Sequence, residues 1–242
     1  MIRWNHTLAL ATLLSAPVFA ETQVESFKGT AVNKKGEIVY LEEQEATYEN
    51  GQVRKAVSKY FSPDGKPIAE LLSDFRFGPG LPDTTYRDLR TGAEDGAKIT
   101  ETSIELFRKK NGTAAVETKS VKRSGDQVVG QGFHHLLRTN LDSFHSDALM
   151  KVTLMLPIRL TDFNFRIRKS SLQGDVVSLK FESDSWLLRL LAPSVELSYD
   201  IKAKRILGYK GRSNVDDPTG HAQDVTITYA YPDSLRDPAD SR

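Results

Sequence analysis

Residues 163–181 read FNFRIRKSSLQGDVVSLKF, and this stretch predicts the fold class. Apolar residues alternate with polar ones on each side of Gly174. Successive side chains of a strand point to opposite faces, so each half is predicted to be a strand with one buried and one solvated face. The same alternation predicts strands at 195–201 and 225–231, with a further strand at 207–215 between them.

Turn signals join shorter extended runs in the N-terminal half. Asn50-Gly51 favours a type I′ turn, because both central residues of that turn need positive φ. We predict strands at 36–48, 52–61, 67–77, 98–109 and 114–123, with turns at 49–51, 62–65 and 111–112. Closely spaced strands with short turns indicate an antiparallel sheet, and not βαβ units.

One segment, residues 133–149, has apolar residues at spacings of three and four, which predicts an amphipathic helix. Gly130-Gln131-Gly132 precedes it and is predicted to be a strand-to-helix turn. The fold prediction is therefore mainly β: a single large curved antiparallel sheet, a half-barrel or open barrel, with one amphipathic helix covering its concave face. We assign 21–242 to one β-rich domain whose tail frays after about residue 232.

The first twenty residues have the layout of a cleaved secretory signal. Arg3 precedes an apolar centre, and Val18 and Ala20 occupy the small-residue positions before the predicted cleavage. This predicts a soluble periplasmic protein. The chain contains no cysteine, which excludes disulfides and thiolate metal sites and predicts that the protein is not lipid-anchored through an acylated cysteine.

The charge balance gives no reason to expect a nucleic-acid partner. Without Arg3 the chain holds equal numbers of basic and acidic residues, 32 of each. The net charge is therefore zero and produces no long-range electrostatic attraction for a polyanion. We expect at most peripheral contact with a membrane. The acids Glu42, Glu43 and Glu45 are interpreted as part of a solvated face.

No arrangement of residues predicts a catalytic site, a metal site or a cofactor. His134, His145 and Asp142 are spaced for one helix face, but three helical turns separate the two histidines by about 16 Å, too far for one ion. A hydrolase in which His134, His145 or His221 meets a carboxylate stays open as an alternative.

Four basic residues of the C-terminal strands are candidate contacts for an acidic head group. They are Arg166, Arg168, Lys210 and Arg212. The competing interpretation is a solvated sheet face, balanced by neighbouring acids.

Two apolar elements are candidates for ligand binding. The predicted helix would supply a plug, and the apolar block at 186–192 would supply a lip of the cavity. The plug residues are Phe133, Leu137, Leu141 and Phe144, and the lip residues are Trp186, Leu187 and Leu190. Ordinary core filling is the alternative for both elements.

A predicted export signal, a long run of antiparallel strands and a helix at 133–149 together resemble the periplasmic lipoprotein carriers, the LolA/LolB-like half-barrels. The resemblance is one of architecture, carried also by 163–167, 177–181 and 199–207. It implies an apolar cavity that shelters acyl chains between membranes. The absence of cysteine departs from the lipid-anchored members of the group.

We therefore predict a binding protein for a lipid or another apolar small molecule, with a carrier role in envelope biogenesis as one form of it. The first alternative is an envelope module that binds a protein partner through a sheet edge or the Trp186 block. The second is a hydrolase.

Overall fold

The computed structural model describes residues 21–185 and 194–232, and all strands in these ranges belong to one sheet of 15 strands. The strands are β1 Thr22–Val32, β2 Ile38–Glu49, β3 Gln52–Phe61, β4 Pro67–Asp74, β5 Asp83–Asp88, β6 Glu94–Ile99, β7 Ser103–Lys109, β8 Glu117–Lys122, β9 Gln127–Val129, β10 Leu149–Leu156, β11 Thr161–Gln173, β12 Val176–Ser183, β13 Val195–Asp200, β14 Arg205–Arg212 and β15 Asp224–Ala230. The helix α1 spans Gly132–Asn140, and the 3-10 helices η1 and η2 span Leu141–His145 and Pro157–Arg159.

The sheet has β1 at its centre and two arms. Strands β2 to β8 follow one another on one side of β1, and β15 back to β9 follow on the other side. All strand pairs are antiparallel except β9 and β10, which the crossover through α1 joins in parallel. The prediction of a large, open, mainly antiparallel sheet with one helix is confirmed, and this one parallel pair makes the sheet mixed.

The two arms curl toward each other, although no backbone ladder joins β8 to β9. Arg108 Nη1 of β7 donates a hydrogen bond to the carbonyl oxygen of Ile158 at 3.1 Å, and the Val129 amide of β9 donates to the Gly80 carbonyl at 3.1 Å. Met155 and Val129 pack in one apolar cluster with Ile104 of β7. The two arms are therefore held together by hydrogen bonds and apolar contacts between them.

The Asn-Gly hairpin forms as predicted between β2 and β3, with φ values of 51° at Asn50 and 74° at Gly51.

The prediction of a single strand at 98–109 is wrong. Residues Glu94–Ile99 and Ser103–Lys109 form two strands, β6 and β7, because Thr100 accepts the Ser103 amide hydrogen bond on Oγ1 at 2.9 Å and closes a turn.

The predicted helix at 133–149 is shorter in the structure. It ends at Asn140, a 3-10 turn follows, and β10 begins at Leu149. Polar side chains at this end bond to nearby backbone carbonyls: Asn140 Nδ2 donates to the Leu136 oxygen at 2.8 Å, and Ser143 Oγ to the Asn140 oxygen at 2.7 Å. Such local bonds compete with continued helix, so spacing alone overestimated its length.

The helix fills one end of the concave side. Leu137, Leu141 and Phe144 have no exposed surface and join the core formed with β11 to β14. On the β2 side, Arg138 forms an ion pair with Glu25 and donates to Tyr48 Oη at 2.7 Å. The helix is thus fixed by apolar packing on one arm and by a charged hydrogen bond on the other. In the described residues, no helix combines the length and apolarity needed to cross a membrane.

Candidate functional site

A cavity of about 1350 Å³ occupies the part of the concave side that α1 leaves free. It extends from the N-terminal turn of α1 to the loops after β5 and β14. This volume is larger than the ~300–1,000 Å³ of most small-molecule sites. The concave face is therefore filled at its helical end and hollow beyond it.

One wall of the cavity is apolar. Phe165 and Phe181 stack with ring centroids 4.2 Å apart, and Phe133 of α1 lies 4.7 Å from Phe181. Strands β10 to β14 supply the rest of this wall, through Leu154, Met155, Phe163, Val195, Leu197 and Ile206. Such a surface favours hydrocarbon, at about 25 cal/mol for each Å² buried.

The opposite wall, on β2 to β7, is polar. Antiparallel pairing aligns inward residues in rows across the strands. Arg108 pairs with Asp95, Asp95 with Tyr86, and Ser58 with Gln44 in one such row. The next row places Tyr60 opposite Glu42. The cavity is consequently two-sided, with hydrogen-bonding groups facing hydrocarbon groups.

Glu42 is the most buried acid of the polar wall, with 4 % of its surface exposed. It accepts hydrogen bonds from Gln44 Nε2, at 2.9 Å, and from the hydroxyls of Tyr229 and Tyr40. Burial raises the pKa of Glu42 to about 7, and these three hydrogen bonds oppose the rise. The interpretation of Glu42 as part of a solvated face is therefore wrong. It lies on the inward face of β2 with Tyr40, whereas Glu43 points outward to Lys28.

Five tyrosines on five strands line the cavity on the side of Glu42, and we call them the tyrosine cage. They are Tyr40, Tyr60, Tyr86, Tyr209 and Tyr229, which all line the cavity. The Tyr60 ring stands edge-on to Tyr40 at 6.0 Å and to Tyr86 at 6.3 Å. The pKa of each of these phenols is raised, mainly by burial, so all five are neutral at physiological pH.

Gly29 of β1 makes room for Glu42 and Tyr229 to meet. It pairs with both residues in the sheet. A Cβ atom at this position would lie 2.9 Å from Tyr229 Cε1 and 3.1 Å from Glu42 Oε2. A side chain here would push the carboxylate and the phenol apart.

We expect Gly29→Ala to lower the free energy of unfolding by about 1–3 kcal/mol, because overpacking displaces well-placed neighbours. Urea denaturation followed by circular dichroism measures this. Gly125→Ala is the matched control, since a Cβ atom there has no neighbour within 4 Å. Equal stability of the two variants would contradict the assigned role of Gly29.

The N-terminal turn of α1 adds polar atoms to the cavity. Gln131 Nε2 donates to Ser58 Oγ at 2.7 Å, while Gln131 Oε1 and His135 Nδ1 are buried without a partner in the described residues. His134 Nδ1 contacts Tyr199 Oη at 2.9 Å. Burial lowers the pKa of His134 to about 3 and that of His135 well below its ordinary value, so both rings are neutral. Unpartnered buried atoms on a cavity wall are available to a ligand.

The predicted plug residues divide between cavity and core. Phe133 lines the cavity, whereas Leu137, Leu141 and Phe144 are completely buried behind it. The predicted lip residues Trp186, Leu187 and Leu190 lie outside the described residues, as do the predicted signal at 1–20 and the chain from 233 onward.

The four basic candidates are dispersed. Arg166 and Arg168 both contact Glu182 Oε1 on the outer side of β11 and β12, at 2.6 and 3.3 Å. Lys210 lies 3.8 Å from Glu196. Arg212 lines the cavity and forms an ion pair with Asp224 at 3.0 Å. Of the four, only Arg212, the last residue of β14, lines the cavity.

Within residues 21–185 and 194–232, no histidine ring forms a hydrogen bond or an ion pair with a carboxylate. The His134 ring bonds to a phenol, and the His221 ring contacts Thr219 Oγ1 at 2.8 Å. His145 lies in η1, separated from His134 by the end of α1. The same residues contain no grouping of three or more metal-binding side chains.

Comparison with known proteins returned no match among protein-family models, curated proteins or solved structures.

Proposed function

We propose that this protein binds an amphipathic lipid-like molecule in the concave cavity. The observation that carries the proposal is the two-sided lining, with Phe165 and Phe181 on one wall and Glu42 and Tyr60 on the other. An acyl chain gains from burial against the first wall, and a polar group can hydrogen-bond to the second. Export to the periplasm, predicted from residues 1–20, and a carrier role belong to the same proposal.

The size of the cavity supports this assignment over a purely structural role for the sheet. A cavity of about 1350 Å³ leaves large apolar side chains, Phe165 and Phe181 among them, facing the space between the two walls. A ligand that covers them removes apolar surface from water and adds dispersion contacts. The stability that it adds follows from its affinity and concentration.

Direct detection of the ligand is the first experiment. The protein, purified without detergent, is examined by native mass spectrometry and then extracted with organic solvent. We expect an adduct that disappears on extraction and a lipid-like compound in the organic phase. A ligand-free protein that also fails to take up any amphiphile would contradict the proposal.

A matched pair of variants tests the location. Phe163 lines the apolar wall and is 37 % exposed, whereas Val176 is 39 % exposed on the opposite sheet face. We expect Phe163→Arg to weaken binding of the neutral fluorescent probe N-phenyl-1-naphthylamine about tenfold, corresponding to ~1.4 kcal/mol. Val176→Arg should leave the dissociation constant unchanged. Equal effects of the two substitutions would place the probe elsewhere.

A further inference from the structure

Glu42 is a buried acid for which the described residues supply no cation. No lysine, arginine or histidine of residues 21–185 or 194–232 forms an ion pair with it, and its hydrogen-bond donors are neutral. A buried carboxylate without a counter-charge is costly, and the pKa of about 7 reflects that cost. Because Glu42 lines the cavity, a ligand can reach it.

Three of the arginines that line the cavity are already paired. Arg90 binds Asp88 at 2.6 Å and Arg108 binds Glu117 at 2.7 Å, in addition to the pair between Arg212 and Asp224. Asp95 is a second acid of the wall without an ion pair in the described residues, and burial raises its pKa to about 7. Lys109 and Arg159 also line the cavity without an ion pair in the described residues, so both signs of charge occur on its wall. Glu42 is the most deeply buried of these charged groups.

The tyrosine cage supplies a second kind of attraction for a cation. The negative face of an aromatic ring attracts ammonium groups, by about 0.5–1 kcal/mol at exposed sites and about 2 kcal/mol when water is excluded. Tyr40, Tyr60 and Tyr86 stand at steep angles to one another, 76° and 64° between successive rings. The faces of successive rings therefore point in different directions.

We propose that Glu42 and the tyrosine cage bind a cationic amine or ammonium head group of an amphiphile whose chain lies against the apolar wall. This rests on the proposed function and makes it specific. The carboxylate supplies the counter-charge, the phenol rings supply cation–π contact, and Phe165 and Phe181 receive the hydrocarbon. An anionic head group placed against Glu42 would meet a negative charge without a counter-ion and be repelled.

Four probes with the same twelve-carbon chain and different head groups test the proposal. They are dodecyltrimethylammonium, dodecylammonium, dodecyl maltoside and dodecanoate, each titrated by calorimetry at pH 8 below its micellar concentration. We expect at least one cationic probe to bind about tenfold or more tighter than the maltoside and dodecanoate. The two cations together distinguish a quaternary from a primary ammonium preference.

Two charge-removing variants locate the effect. Glu42→Gln should remove the tenfold preference for the cation and change maltoside binding less than about threefold. Asp95→Asn removes the same charge beside Tyr86, four strands away from Glu42 in the sheet, and should keep most of the preference. Both variants remove a costly buried charge, so both are expected to fold.

The wild-type protein gives a test that needs no variant. The affinity for the cationic probe should fall as the pH decreases through about 7, because Glu42 becomes protonated and neutral. The groups facing Glu42 are Tyr40 on β2, Tyr60 on β3, Tyr209 on β14 and Tyr229 on β15, which all stay neutral over this range. Maltoside affinity should stay constant.

The outcomes separate this proposal from the one it rests on. Equal affinity for all head groups, or equal losses in Glu42→Gln and Asp95→Asn, would overturn the cation site and leave lipid binding standing. Failure of every twelve-carbon probe to bind would contradict the proposed function itself.

Discussion

Phe144→Ala should lower the free energy of unfolding by about 3–5 kcal/mol. Phe144 lies in η1 and has no exposed surface. It packs with Leu137 of α1 and Leu141 of η1 against the core of β11 to β14. Truncation leaves a cavity that rigid strands cannot collapse to fill. Urea denaturation in the absence of ligand measures the loss. Leu149→Ala is the control, because Leu149 follows this segment closely and is 53 % exposed. It should change stability by less than about 1 kcal/mol.

The result also decides between two roles of the helical segment. If the segment is a fixed core element, we expect the full loss of stability. The affinity of the neutral probe should then change little, because Phe144 does not line the cavity. A plug that leaves the core when ligand enters predicts that probe binding offsets part of the loss. A loss below about 1 kcal/mol would contradict the assignment of Phe144 to the packed core.

The second large effect concerns the free energy of unfolding. The difference in this quantity between Glu42→Gln and the wild-type protein should depend on pH. The pKa of Glu42 is raised from 4.5 to about 7 by folding, so this residue contributes stability below pH 4.5 that is lost as the pH rises through 7. Glutamine cannot ionise, so it does not place a buried charge in the folded protein at high pH. We expect the two proteins to be equally stable near pH 5 and the variant to be more stable at pH 8, by roughly 3 kcal/mol.

The stabilities of the two proteins are compared at each pH because other groups titrate in a neighbouring pH range. His134 and His135 have lowered pKa values, so their contribution to stability is lost as the pH falls below about 6.5. This contribution cancels between wild type and variant. Chemical denaturation of the ligand-free proteins at several pH values from 5 to 8 gives the curve. A difference that does not change with pH would show that Glu42 titrates normally.

Local pattern was enough to predict most of the sheet. The alternation over 163–181 and the Asn50-Gly51 turn act through the nearest residues, and both appear in the structure as predicted. The helix was predicted in place but too long, since the bonds from Asn140 and Ser143 that end it are a matter of side-chain geometry. The strands β1, β5, β9 and β10 were not predicted.

The site was harder to predict than the fold. Glu42 was interpreted by its acidic neighbours Glu43 and Glu45, although period two places it with Tyr40 and Tyr48 on the inward face of β2. That alternation is the signal that could have found it. The partners of Glu42 could not be found this way, since Tyr229 lies 187 positions later in the chain and is brought to Glu42 only through β1 and β15.

The sequence by itself determined most of the strands, several of their turns and the presence of one helix, because backbone preferences and side-chain alternation are local properties. Tertiary structure decided how far the helix reaches over the concave face, how the arms curl together and which polar residues are left facing the remaining space. A cavity is a property of packing between distant segments, and a buried charge acquires its cost only when those segments enclose it. For that reason, Glu42 and the tyrosine cage come together only in the folded sheet.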